Sequence, residues 1–157
     1  MSLALLDLNE PAKTWLNPVV NNLTIQGSLV YKQNVLVVTG TTTLTPAQSG
    51  ALIGIDSSAS AVTITLPAIS SSNTGIKYRI YWKVAGNNST VASAAAAGLN
   101  GITINAATSV LTAPSNKQTF TFVSGTAHLD DYIDLIQGIQ AWQFLSVTTV
   151  NGGITIA

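Results

Sequence analysis

Ile76-Lys77-Tyr78-Arg79-Ile80-Tyr81-Trp82-Lys83-Val84 alternates without a break. Taken two residues at a time, Ile76, Tyr78, Ile80, Trp82 and Val84 fall on one face, and Lys77, Arg79, Tyr81 and Lys83 on the other. Successive strand side chains point to opposite faces, so the pattern is that of a half-buried β-strand and not of a helix. At roughly 3.3 Å per residue such a strand runs about 30 Å, the height of a small sandwich. Its two aromatic and three aliphatic inward residues make it the centre of the expected core.

Strand signals continue on both sides of it. Upstream, Val19–Gln26, Leu29–Tyr31, Val35–Val38, Ala51–Asp56 and Val62–Leu66 are rich in Val, Ile, Leu and Thr, and turn formers separate them. Pro46–Gly50 reads as a turn or a single helical turn, and Pro67 stops the strand before it. Downstream, Gly86-Asn87-Asn88-Ser89 predicts a hairpin joining Ile76–Val84 to Thr90-Val91. Ala92–Gly98 reads as a connection, Gly101–Ile104 as a short strand, and Ala106–Lys117 as mostly loop. Thr119–Val123 alternates again. Asp131–Ile136 and Gln140–Val147 read as a hairpin turned at Gln137-Gly138-Ile139, with Trp142 and Phe144 on one face, and Ile154–Ile156 closes the chain. Strands every 8–14 residues with no long helix give an all-β fold, expected as an antiparallel, jelly-roll-like β-sandwich over residues 19–157. No fixed-period repeat supports a solenoid or propeller.

Residues 1–18 differ. Leu3, Leu5, Leu6, Leu8, Trp15 and Leu16 are interleaved with Asp7, Glu10, Pro11, Lys13 and Pro18, and the two prolines prevent one continuous helix. The segment is too short to bury its own leucines. It is an extended arm, either packed on its own domain or anchored on another subunit or a larger assembly.

Composition narrows the partners. Charged residues make up 8% of the 157, against about 25% in ordinary soluble domains, and the net charge is zero. With 20 threonines and 15 serines, the polar surface is mostly hydroxyl. Such a surface suits coverage by other copies or other proteins, because net charge near zero promotes association. No basic excess exists to hold a phosphate backbone, so a nucleic-acid partner is not expected. No run approaches the ~20 apolar residues of a membrane span, so no membrane partner is expected. The apolar piece Leu3–Leu6 lacks a preceding cation and meets Asp7, so it is not a signal peptide, and synthesis in the host cytoplasm without secretion is expected. Cysteine is absent, which removes disulfides and thiol chemistry.

Chemistry finds little support. His128 stands near Asp130, Asp131 and Asp134, but nothing marks one serine as a nucleophile, and His128 reads as a surface loop residue. The aspartates offer oxygen ligands for calcium but follow no calcium-loop spacing, and they read chiefly as solvated charges at a strand end. No catalytic residue, cofactor or metal is assigned, and an enzyme is not expected. Lys77, Arg79 and Lys83 place half of the six cations on one strand face beside Tyr81. That face is either a contact for an acidic partner or a solvent face that protects a strand from edge pairing.

Asn21–Leu29, Thr43–Gly50, Val62–Ala68, Gly75–Tyr78, Asp131–Ile136 and Trp142–Leu145 together resemble the small β-sandwich domains of virion surface proteins in tailed phages and large DNA viruses. These include capsid decoration (cement) proteins, head fibres and tail-fibre modules. The resemblance implies a non-enzymatic structural protein on the capsid surface of a virion. It implies a homotrimer attached through its N-terminal arm to the major capsid protein or another virion protein. The expected partner-binding residues are Leu3, Leu5, Leu6, Leu8, Trp15 and Leu16, with Lys77, Arg79 and Lys83. The alternative is a receptor- or glycan-binding tail-fibre module, which needs an aromatic platform in loops, whereas Trp82 and Trp142 fall on strand faces.

Overall fold

The computed structural model describes residues 33–95 and 98–157. The arm at residues 1–18, its boundary with the sandwich, and the strands expected over Val19–Tyr31 lie outside the described residues.

Among the described residues twelve strands form, in chain order, β1 (Val35–Val38), β2 (Thr42–Thr43), β3 (Leu52–Asp56), β4 (Thr63–Thr65), β5 (Lys77–Val84), β6 (Ser89–Ala92), β7 (Leu99–Asn105), β8 (Val110–Thr112), β9 (Thr119–Phe122), β10 (Tyr132–Gln137), β11 (Trp142–Thr148) and β12 (Ile154–Ile156). A seven-stranded sheet, β1-β3-β5-β10-β11-β7-β8, packs on a five-stranded one, β12-β9-β6-β4-β2. The protein is an all-β sandwich, and β5 lies inside the larger sheet with a partner on each side. A 3-10 turn at Pro46–Gln48 stands where a turn or single helical turn is predicted.

The pairing within the sandwich is mixed rather than purely antiparallel. Strands β1, β3 and β5 run parallel to one another in one sheet, and β2, β4 and β6 do so in the other. The chain from β1 to β6 thus alternates between the sheets as a three-rung coil. Partners lie 17 residues apart at Val35 and Leu52, 22 at Thr42 and Ile64, and 27 at Thr63 and Thr90. Unequal rungs leave no fixed period in the sequence. Beyond β6, antiparallel pairs predominate, including the expected β10–β11 hairpin, but β7 joins β11 in parallel.

The coil overturns the hairpin predicted from β5 to β6: the two strands sit in different sheets. The reason is the corner at Ser57. Its backbone N–H and hydroxyl both donate to the Val84 carbonyl, and its carbonyl accepts from the Asn87 backbone N–H and side chain. The 85–88 turn is therefore stacked on the preceding rung's corner and cannot fold back beside β5. Strand β8 also corrects the loop expected over Ala106–Lys117. Its three residues are held by pairing with β7 across a turn in which Asn105 Oδ1 accepts from the N–H groups of Ala107 and Thr108.

Between the sheets, Ile53, Ile80 and Ile133 form one inward row, and Ile64, Val91 and Phe120 face them from the other side. Edge-to-face pairs Trp82–Phe122 and Phe120–Phe144, with ring centroids 5.5 and 4.7 Å apart, tie one sheet to the other. The indole N–H groups are satisfied, Trp82 by the Val84 carbonyl and Trp142 by the Pro67 carbonyl. Tyr78 is buried, and its hydroxyl donates to the Thr45 carbonyl at 2.7 Å. Burial pushes its pKa up to about 12.

Candidate functional site: the outer face of the seven-stranded sheet

Paired residues in a ladder point to the same side of the sheet, so the register fixes what each outer face presents. On the five-stranded sheet the outward positions are Thr43, Thr63, Thr65, Thr90, Thr119, Thr121 and Thr155, with Ala92 the one exception. That face carries hydroxyls and no charge.

The seven-stranded sheet differs. One row runs Val35–Leu52–Arg79–Asp134–Leu145–Ile102 across six strands. The next runs Val37–Gly54–Tyr81–Tyr132–Val147–Ile104–Leu111 across all seven and holds no charged residue. Six of the nine exposed large hydrophobics among the described residues stand on this face: Val35, Val37, Ile102, Leu111, Ile136 and Leu145. Leu111 is the most open of the six at 63%. Exposed hydrophobics gathered on one face make it the candidate contact surface, whereas single exposed leucines carry no such meaning.

Two local arrangements flatten it. Gly54 has no side chain, and Tyr81 lies across it: a Cβ there would come within 2.9 Å of the Tyr81 hydroxyl oxygen and 3.0 Å of its Cζ. Next to it, the Arg79 guanidinium sits 4.7 Å from the Tyr132 ring centroid. Arg79 also grips Asp134 with two hydrogen bonds, Nε to Oδ1 at 2.6 Å and Nη2 to Oδ2 at 2.5 Å. That carboxylate holds the Arg79 pKa above its already high value.

The cations of β5 are therefore not one basic patch. Arg79 is neutralised by its cross-strand neighbour. Lys77 and Lys83 are exposed at opposite ends of the strand. Lys83 lies close enough to Asp56 to add a small attraction to it, although the Ser58 hydroxyl is the main reason the Asp56 carboxyl is held below its usual range. Protection from edge pairing is not their role either, because β5 is an interior strand. A shallow groove of about 500 Å³ lies at the Lys77 end, bordered by Lys77, Arg79, Asp134, Ile136, Gln143 and Leu145.

The aspartates near His128 also separate. His128 is in an exposed loop, as expected, and Asp130 precedes β10 with a left-handed φ of 68°. Asp131 is not a solvated charge: it is 1% exposed and accepts four hydrogen bonds. Its Oδ1 takes the Thr149 N–H and hydroxyl at 2.8 and 2.9 Å, and its Oδ2 takes the His128 N–H and Thr148 hydroxyl at 3.0 and 3.1 Å. With those oxygens occupied and Asp134 engaged by Arg79, the three carboxylates do not converge on a cation. Trp82 and Trp142 are fully buried and offer no aromatic platform.

Sequence reasoning places Lys77, Arg79 and Lys83 outward correctly but misses the apolar band around them. The signal for that band is present in Ile136, Leu145, Ile102 and Leu111, each the odd apolar residue at a solvent-side position. Leu3, Leu5, Leu6, Leu8, Trp15 and Leu16 lie outside the described residues. Compared with protein-family models the chain matches none, and a search of curated proteins finds no significant match.

Proposed function

We propose that the protein is a non-enzymatic structural component of a virion surface, a decoration or head-fibre protein that assembles with its own copies and attaches to the particle through its N-terminal residues. The observation that carries this reading is the uncharged row spanning all seven strands, in a chain with few charges anywhere. A surface of that kind gains free energy by being covered, at roughly 25 cal/mol for each Å² of apolar area.

The attachment role falls to Leu3, Leu5, Leu6, Leu8, Trp15 and Leu16, facing a capsid protein. Each large apolar side chain buried there contributes about 1.5–3 kcal/mol before ordering costs, and several copies held together multiply the effect. The test is deletion of residues 1–18 followed by incubation with particles. The shortened protein should keep the thermal transition of the sandwich and no longer co-sediment; undiminished co-sedimentation would remove the attachment role.

A further inference from the structure

The outer face of the seven-stranded sheet has two properties that together select its occupant. Its centre is level, because Tyr81 lies over Gly54 and the Arg79 guanidinium lies over Tyr132, and the groove is confined to the Lys77 end. Its two central rows are also electrically quiet, because their only charges, Arg79 and Asp134, are paired within the face and the exposed Lys77 and Lys83 lie outside those rows. We propose that this face is covered by other copies of the same chain, with Tyr81, Tyr132, Val147 and Ile104 at the centre of the contact and Ile102, Leu145 and Leu111 around it. This rests on the assembly role proposed above and adds the surface and the occupant.

Three considerations favour a copy over a different partner. First, a contact between identical chains sets each patch against the same patch or its neighbour, so any unpaired charge would meet its like. Here the first row's only charges, Arg79 and Asp134, already neutralise each other, and Lys77 and Lys83 stand at the strand ends beyond the uncharged row. Second, a charged partner finds no ionic contact in the two central rows, where Arg79 and Asp134 already satisfy each other. Third, the size fits. Seven strands about 4.8 Å apart, running from about 10 Å for the three residues of β8 to about 26 Å for the eight of β5, give a face of roughly 600 Å² in plan, and side-chain relief adds to that. A standard interface takes about 800 Å² from each partner. Flat sheet faces pack on one another about 10 Å apart with strands within about 30° of alignment, which leaves no gap for water between rows of Val, Ile and Tyr.

The threonine face supplies the internal control. It is equally uncharged but hydroxylated, so it remains solvated without a partner.

The test uses the full-length chain. Its mass in solution is measured by light scattering over a range of concentrations for the wild type, for Ile102→Lys/Leu145→Lys, and for Thr63→Lys/Thr121→Lys on the opposite face. Near-UV circular dichroism, which reports the buried Trp82 and Trp142, checks that each variant is folded. The wild type should be an oligomer, the first variant should fall to the mass of one chain, and the second should keep the wild-type mass. Because the chain has no cysteine, Leu145→Cys provides a second route that perturbs packing little. A bismaleimide should link it between chains, while Thr121→Cys should remain unlinked. A single-chain wild type, unchanged association in the folded lysine variant, or equal loss in both lysine variants would overturn the proposal. A wild-type chain that binds particles without self-associating would refute the face contact alone, whereas a wild type that self-associates without binding particles would leave it standing and refute the virion role.

Discussion

Replacing Asp131 removes the one buried carboxylate among the described residues, and the cost follows from its four partners. A hydrogen bond to a charged acceptor is worth about 1.5–3 kcal/mol, yet the four do not add. The Thr148 hydroxyl keeps an alternative acceptor in the Val150 carbonyl at 2.8 Å. Thr149 is exposed, so its hydroxyl and N–H recover hydrogen bonds to water. The His128 N–H, held at 3.0 Å in a partly buried position, is the donor left without a partner. Loss of the carboxyl also opens a void beside Gly153, where a Cβ would lie only 3.0 Å from Asp131 Oδ2. With the orphaned donor and the void together, Asp131→Ala should cost roughly 3 kcal/mol. Asp131→Asn should cost about half of that, because one oxygen still accepts while the new NH2 faces two donors. In a chain of this length, 3 kcal/mol lowers the melting temperature by about 6–12 °C. Urea unfolding followed by tryptophan fluorescence reads the loss directly, since Trp82 and Trp142 are both buried. An Asp131→Ala protein within about 1 kcal/mol of wild type would refute the assignment of Asp131 as the clamp between the 127–131 loop and the end of β11.

Gly101→Ala should destabilise by roughly 1–3 kcal/mol, because the new methyl group would run into the Phe144 carbonyl and ring across the β7–β11 ladder; thermal melts check it, and an unchanged melting temperature contradicts the close approach. Tyr78 makes stability fall in alkali. Its pKa rises from 10.0 to about 12 in the fold, so the unfolded chain loses its proton first, and the contribution is complete below pH 10 and lost as pH climbs through about 12. Denaturant titrations at pH 9 and pH 11 should show that decline for the wild type and a shallower one for Tyr78→Phe, with equal slopes counting against the buried phenol.

Period-two alternation makes much of the sandwich legible from the sequence. Ile76–Val84, Val62–Leu66, Thr119–Val123 and the Asp131–Val147 hairpin each announce which side chains turn inward, because the pleat leaves no choice once one face is apolar. Low charge and absent cysteine are likewise properties of composition, and they exclude disulfides and leave a hydroxyl-rich polar surface before any strand is paired. Pairing itself is not legible. Whether Val84 turns back beside its own strand or crosses to the other sheet depends on Ser57, a residue 27 positions earlier that captures the corner. The same non-locality sets Arg79 against Asp134, 55 residues apart, turning an apparent basic patch into a closed pair. It also aligns Leu145 with Ile102 and Val147 with Ile104 in a parallel ladder. Local sequence fixes the direction of each side chain, while only long-range register decides which of them become neighbours, and neighbours are what make a surface.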